Sequence, residues 1–375
     1  MKILGLLTIL GCCAAHAAAP IIQQDFETSE SGWIAFGGGG TVRLTREPAN
    51  VKAGKSALAF EYTAAAKGFS AAVLPLADVS LANMKALRFW LKTDSAVGIA
   101  VLMNEKTPGG GNFSALVWSP KDTWQRIELT PADFILSEGP NDPKDSKGKL
   151  DLDRIQGIGL VDVSQMFSAM PRNPNLPIAI DPHTGKHVFY VDDFEVVDTA
   201  PPSAAAAATD SVIDDFHRSH VDWLTLGGAE LSVDASGKPV AGRALKVEYQ
   251  QTEGHYIVLT HALGPMDLRT KNKLAFDIAS DKEAQLIISL EERNPGKGQG
   301  PRYQVDVQVP GGGKMDRREV ALSAFQPDGN GTKDPNGKLD LDQLKSISIL
   351  DVTGALNPET ARNTLWIGNI QAVSR

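Results

Sequence analysis

Carboxylates carry most of the chemistry available to this chain. Asp25 and Glu27 stand near its start, Asp192-Asp193 near its middle, and the Asp-rich stretches Asn141 to Asp153 and Asp328 to Asp342 look like cation loops. An EF-hand loop needs Gly at position six and Glu at position twelve. With Gly337 at six, Thr332 is at one and Gln343 at twelve; the first copy offers Pro143 and Arg154, so neither qualifies. Turn chemistry is the better account. Asp and Asn beside Pro and Gly bend a chain, and Asp151 or Asp340 is placed to cap a short helical turn. His217-x-x-His220 with Asp222 is a metal set on paper, but no His-Glu-x-x-His helix supports it, so these read as solvated histidines. Glycoside hydrolysis needs two facing carboxylates. Glu61 and Glu248 sit in different repeats, while Glu248, Asp277 and Asp306 could converge, although acids on exposed strands usually serve solvation. The sequence holds no Gly-x-Ser-x-Gly elbow and no phosphate loop; Gly37 to Gly40 and Gly311 to Gly313 read as turns. No catalytic residue is assigned, and the chain reads as more binding protein than enzyme.

The elements that position these groups begin after a leader. Met1-Lys2, the apolar Ile3 to Leu10 and Ala15-His16-Ala17 fit a secretory signal over residues 1–17. A rival reading makes Ile9-Leu10-Gly11-Cys12 a lipobox with a lipid anchor at Cys12, so the expectation is a secreted or periplasmic protein or, alternatively, an outer-membrane lipoprotein. Both cysteines, Cys12 and Cys13, fall in this leader, which excludes thiol chemistry from the mature chain. The 375 residues suggest roughly two domains. A net charge of −8 with no basic block disfavours nucleic acid as a partner. No apolar run reaches the roughly 20 residues of a transmembrane segment.

The mature chain is a repeat. Asp25-Phe26-Glu27 with Trp33 matches Asp215-Phe216-His217 with Trp223, and Leu58 to Tyr62 matches Leu245 to Tyr249. Gly148 to Asp153 recurs as Gly337 to Asp342, and the closing strand Val188 to Phe194 recurs as Thr364 to Ile370. The first domain spans 20–198 and the second 211–375, joined by a Pro/Ala linker at 199–210. Within each, apolar residues alternate with polar ones: Leu245, Val247 and Tyr249, then Leu274, Phe276 and Ile278. Period two marks half-buried antiparallel strands. Many short strands with turns between them predict an all-β fold of two tandem β-sandwich domains.

These residues resemble the galactose-binding-like jelly-roll domains, particularly bacterial carbohydrate-binding modules of the family 11 and family 4/22 types. The resemblance rests on the opening Asp-Phe-Glu with Gly32-Trp33, on Trp124 to Leu129 leading to Phe134, and on Tyr190-Val191-Asp192-Asp193-Phe194. It implies a non-catalytic protein binding a polysaccharide or cell-wall glycan. The same fold occurs in the complex I intermediate-associated protein 30 family, and a cell-envelope assembly protein with a protein partner is the alternative. The resemblance also implies a structural calcium joining the first and last strands. Asp25, Glu27, Asp192 and Asp193 would hold Ca²⁺ in domain one only, because His217 and Gly368-Asn369 replace them in domain two.

Such modules bind sugars on exposed aromatic faces, with polar side chains fixing the hydroxyls. With Leu87, Phe89 and Leu91 inside, Arg88, Trp90 and Lys92 face outward; with Phe113, Ala115 and Val117 inside, so does Trp118. The expected ligand site in domain one is therefore Trp90, Trp118, Arg88, Lys92, Glu61 and Asn104. Trp33, Trp124, Trp223 and Trp366 are expected in the cores. Asp277 and Gln308 replace Trp90 and Trp118 in domain two, leaving a polar face there.

Overall fold

The computed structural model describes residues 19–28, 31–64, 69–139, 141–145, 147–165, 184–200, 212–295, 298–357 and 361–374. The leader and nearly all of the linker lie outside them. Among the described residues, unit one has β1 (Ile22–Gln24), β2 (Ile34–Gly37), β3 (Gly40–Thr45), β4 (Ala57–Ala64), β5 (Ser70–Pro75) and β6 (Ala86–Thr93). Then follow β7 (Val97–Glu105), β8 (Asn112–Ser119), β9 (Gln125–Leu129), β10 (Ile135–Leu136), β11 (Ile155–Asp162) and β12 (Gly185–Val197). Unit two begins with β13 (Val212–Asp214), β14 (Trp223–Leu226), β15 (Glu230–Asp234), β16 (Ala244–Gln251), β17 (Ile257–Ala262) and β18 (Lys273–Ser280). It ends with β19 (Ala284–Glu292), β20 (Arg302–Val309), β21 (Asp316–Ala321), β22 (Gln326–Pro327), β23 (Leu344–Asp351) and β24 (Ala361–Val373).

Each unit is a jelly-roll sandwich of two sheets. Unit one pairs β3-β4-β12-β6-β9, with β1 beside β12, against β10-β8-β7-β11-β5-β2. Unit two repeats that order strand for strand, β15-β16-β24-β18-β21 with β13 against β22-β20-β19-β23-β17-β14. The alternation explains why. Leu58, Phe60, Phe89 and Val191 from one sheet and Leu74, Val101, Phe113 and Leu160 from the other fill a single core. Leu245, Val247, Phe276, Leu286, Ile288 and Ile349 do the same in unit two. Trp33 and Trp223 lie in these cores as expected, whereas Trp124 and Trp366 are only half-buried. Trp366 stands outside its sandwich, packed on Val240, Ala244 and Ala279, with Nε1 donating to Asp234.

The Asp-rich loops are turns. Asp145 accepts the Lys149 N–H, and Asp334 accepts those of Asn336 and Lys338. Asp151 does stand at the N-cap of the turn Leu152–Arg154, but without a capping side-chain bond; its carboxylate takes Lys147 instead. Each loop is tied down by a buried glutamate, Glu105 accepting Asp151 N–H and Glu292 accepting Asp340 N–H.

The units meet along the outer face of the β8 sheet. Trp118 N–H donates to Val221 O at 2.7 Å, and the Trp118 ring joins the core of unit two. Leu224 packs on Ala71, Ala100, Val161 and Val163. Gly98 makes that approach possible, since a Cβ there would stand 2.4 Å from Leu224 Cδ2. Arg218 of unit two reaches Asp133 of unit one at 2.6 Å.

Candidate functional site

The expected ligand residues fall on opposite sides of unit one. Trp90, Arg88, Lys92 and Glu61 are on the outer face of the β4-β12-β6 sheet. Trp118 and Asn104 alternate with the inward residues of β8 and β7 on the other sheet. Because both sheets line one core between them, the two sets cannot form one platform. Their surroundings differ as well. Trp118 is 5% exposed and covered by unit two. Trp90 faces out, but Lys52 Nζ lies 4.2 Å from its ring centroid and the Arg126 guanidinium 5.7 Å, so cations occupy its face. Lys92 is buried, donating to Ala49 O and Asn50 Oδ1, and Arg88 pairs with Glu128 at 2.7 Å. Alternation had indicated these directions correctly; what covers each face is a matter of distant chain.

Three of the acids expected to hold calcium accept backbone N–H groups. Asp192 is fully buried, and its oxygens accept the N–H groups of Lys52, Ala53 and Asp193. Burial pushes its carboxyl up while those three bonds pull it down. Glu27 Oε1 accepts Lys55 and Ser56 N–H, and Asp25 Oδ1 accepts Glu27 N–H. Among the described residues, the group of three or more possible ligands drawn together within 4.8 Å is Asp214, Asp222 and His261 in unit two. The arrangement in unit two takes another form at the corresponding loop, where Arg243 donates to Phe216 O and Arg218 O.

The candidate hydrolytic acids also separate. Glu248 and Asp277 lie on one sheet of unit two and Asp306 on the other. Glu248 pairs with Lys246, and Asp277 with Arg317 and Asn369.

Open clefts occur among the described residues of each unit. The first, of about 410 Å³, lies in unit one and is lined by Gly39, Thr41, Glu61, Tyr62, Thr63, Asp94, Lys186, His187 and Val188. Strand ends place these groups. Asp94 is held by the Val188 N–H and lies 3.4 Å from His187 Nδ1. Tyr62 donates to buried Asp162 at 2.6 Å, and burial with that carboxylate's charge drives its hydroxyl pKa far up, so it stays protonated. Glu61, paired with Arg43, is thus the expected residue that borders an open space. The Gly37–Gly40 turn forms one rim; Gly37 has φ +85°, and a Cβ there would strike Phe69 O. Beside this turn, Phe36 (59% exposed) and Phe69 (37% exposed) meet edge to face at 6.4 Å, next to exposed Ile34. Sequence reasoning missed this aromatic pair because Phe69 lies outside a regular alternating run.

The second cleft, of about 600 Å³, lies in unit two and is lined by Glu283, Asp306, Gln308, Arg318 and Glu319 among others. Gln308 donates to Glu283, and Arg318 to Gln308 O.

No protein-family model matches the chain, and no curated protein matches it. Among solved structures it is similar to the family 11 carbohydrate-binding module from Clostridium thermocellum in complex with a β-1,3-1,4-mixed-linked tetrasaccharide. That likeness has 22% identity and a TM-score of 0.35, over 44% of this chain and 95% of that one. The N-terminal CBM22-1–CBM22-2 tandem domain from Paenibacillus barcinonensis Xyn10C is similar over 96% of this chain and 99% of its own, at 14% identity and a TM-score of 0.31. TmCBM61 in complex with β-1,4-galactotriose is similar over 48% of this chain and 98% of its own, at 17% and 0.29.

Proposed function

We propose that this is a non-catalytic carbohydrate-binding protein whose unit one takes a polysaccharide at the cleft around Glu61. The observation that carries this reading is an open cleft lined by polar side chains at the strand ends of unit one. Thr41, Thr63, Glu61, Asp94, Lys186 and His187 offer donors and acceptors suited to sugar hydroxyls. The test is affinity electrophoresis of the full chain in gels of β-glucans and other wall polysaccharides. Asp94→Asn and Lys186→Ala are each expected to weaken retardation about tenfold, the effect of losing one charged hydrogen bond of roughly 1.4 kcal/mol. Trp90→Ala is expected to leave it unchanged. Retardation that survives both cleft substitutions would overturn the assignment.

The exposed trio Ile34, Phe36 and Phe69 also favours a second reading, a protein partner in the cell envelope, because contiguous exposed apolar side chains mark contact surfaces. Silence on every glycan, with a protein partner lost on Phe36→Ala, would favour it.

A further inference from the structure

The corner of unit two where β13, β14 and β17 meet carries charge that its counterpart in unit one lacks. The aligned positions in unit one are Gln24, Gly32 and Leu74, and there the Leu74 side chain lies 3.7 Å from where a Gly32 Cβ would stand. In unit two the same three positions are Asp214, Asp222 and His261. Their donor atoms all lie within 4.8 Å of one another, and Asp214 is buried with the other two largely so. Replacing an apolar contact by two carboxylates and an imidazole in a dry corner is costly unless something offsets it.

We propose that Asp214, Asp222 and His261 form a binding site for one divalent transition ion of the zinc class. The donor set is right for it: mixed carboxylate oxygen and imidazole nitrogen suits zinc, whereas calcium takes oxygen alone. Ligands about 2.0–2.2 Å from a common ion lie close together, so donors already within 4.8 Å need only a small closure. Charge balance points the same way. Arg218 lies 3.5 Å from Asp222 and 2.6 Å from Asp133, so one guanidinium is shared between two carboxylates and leaves negative charge in the corner. A separate sign is His220, which is 3% exposed with both ring nitrogens unpartnered. It stands two residues from Asp222, and the two interact electrostatically. Asp214 accepts the Phe216 N–H at 2.7 Å and the Trp223 Nε1–H at 2.8 Å, which fix its carboxylate in the corner. His217, 61% exposed and paired with Asp215, is no part of the site.

The experiment uses the full chain, stripped with chelator and dialysed. Zinc uptake is read by calorimetry and elemental analysis, and Co²⁺ absorbance reports the ligand geometry. One ion per chain is expected, with a rise in melting temperature on adding zinc. Asp222→Asn and His261→Gln should each weaken uptake by roughly 10–100-fold, the scale seen when a metal site's supporting groups are removed, while His217→Ala should not. Circular dichroism verifies that each variant is folded. The wild-type titration decides the matter even if a variant unfolds: no stoichiometric uptake by the folded wild type overturns the proposal, and so does uptake unaltered in folded Asp222→Asn and His261→Gln.

Discussion

The two units share one strand order and differ in what touches it. The β8–β9 edge of unit one is closed: Trp118, Ile127 and Ala96 lie against unit two or within the core. The matching β20–β21 edge of unit two is open, and Gln308, Arg318 and Glu283 at the same positions line its cleft. A second contrast lies at the mouth of the unit-one cleft, where His187 and Asp94 face the opening. Asn363, aligned with His187, is instead buried and bonded to Tyr249, Ser280 and the Lys282 N–H. Duplication thus preserved the inward alternation and left the outward residues to answer to new neighbours. A β-sandwich tolerates this because its core is lined by every second residue, and the other half is free to change.

That contrast can be broken most directly at Trp118. Trp118→Ala should destabilise the chain by about 3–5 kcal/mol, the cost of emptying a buried aromatic site. Gln308→Ala should change stability by no more than about 0.5 kcal/mol, as at an exposed position. Denaturant unfolding of the full chain measures both, and equal effects would show that the two edges do not differ.

Asp192→Ala comes next, with an expected loss of about 2–3 kcal/mol, because the Lys52, Ala53 and Asp193 N–H groups lose their acceptor. Gly368 occupies the matching position in unit two, so the effect belongs to unit one. A rise in the melting temperature of unit one on adding Ca²⁺, abolished by Asp192→Ala, would show that a cation joins these acids; no rise would show that backbone bonding is their whole role.

Unit two should answer to pH through Glu292. Burial, and then the nearby Asp334 and Asp340 charges, raise its carboxyl from 4.5 to about 7, against the pull of the Asp340 N–H. The fold therefore holds that proton more tightly than the unfolded chain does. This contribution is complete below pH 4.5 and is lost as pH rises through about 7. Glu292→Gln keeps an acceptor for Asp340 N–H and should flatten the melting temperature of unit two across that window; an unchanged slope would reject the assignment.

A smaller loss than at Trp118 or Asp192 is expected at Trp90. Its ring contributes two cation–π contacts, each about 0.5–1 kcal/mol at a partly exposed site, so Trp90→Ala should cost roughly 1–2 kcal/mol. A loss as large as that of Trp118→Ala would mean that Trp90 is core.

The sequence by itself determined the doubling, the two sandwiches and the inward face of each strand. These are legible because alternation is a property of consecutive residues: Leu87, Phe89 and Leu91 must share a face wherever the strand lies. It also determined that Trp90 and Trp118 point away from their core. Only the tertiary structure decided that they point in opposite directions, since this depends on which sheet β6 and β8 join. Only it decided that unit two covers Trp118 while cations cover Trp90. The same holds for Asp222 and His261, 39 residues apart in the chain and brought together by the β14–β17 pairing. Alternation tells which way a side chain points; what it meets there is set by contacts between segments far apart in sequence, which no local pattern records.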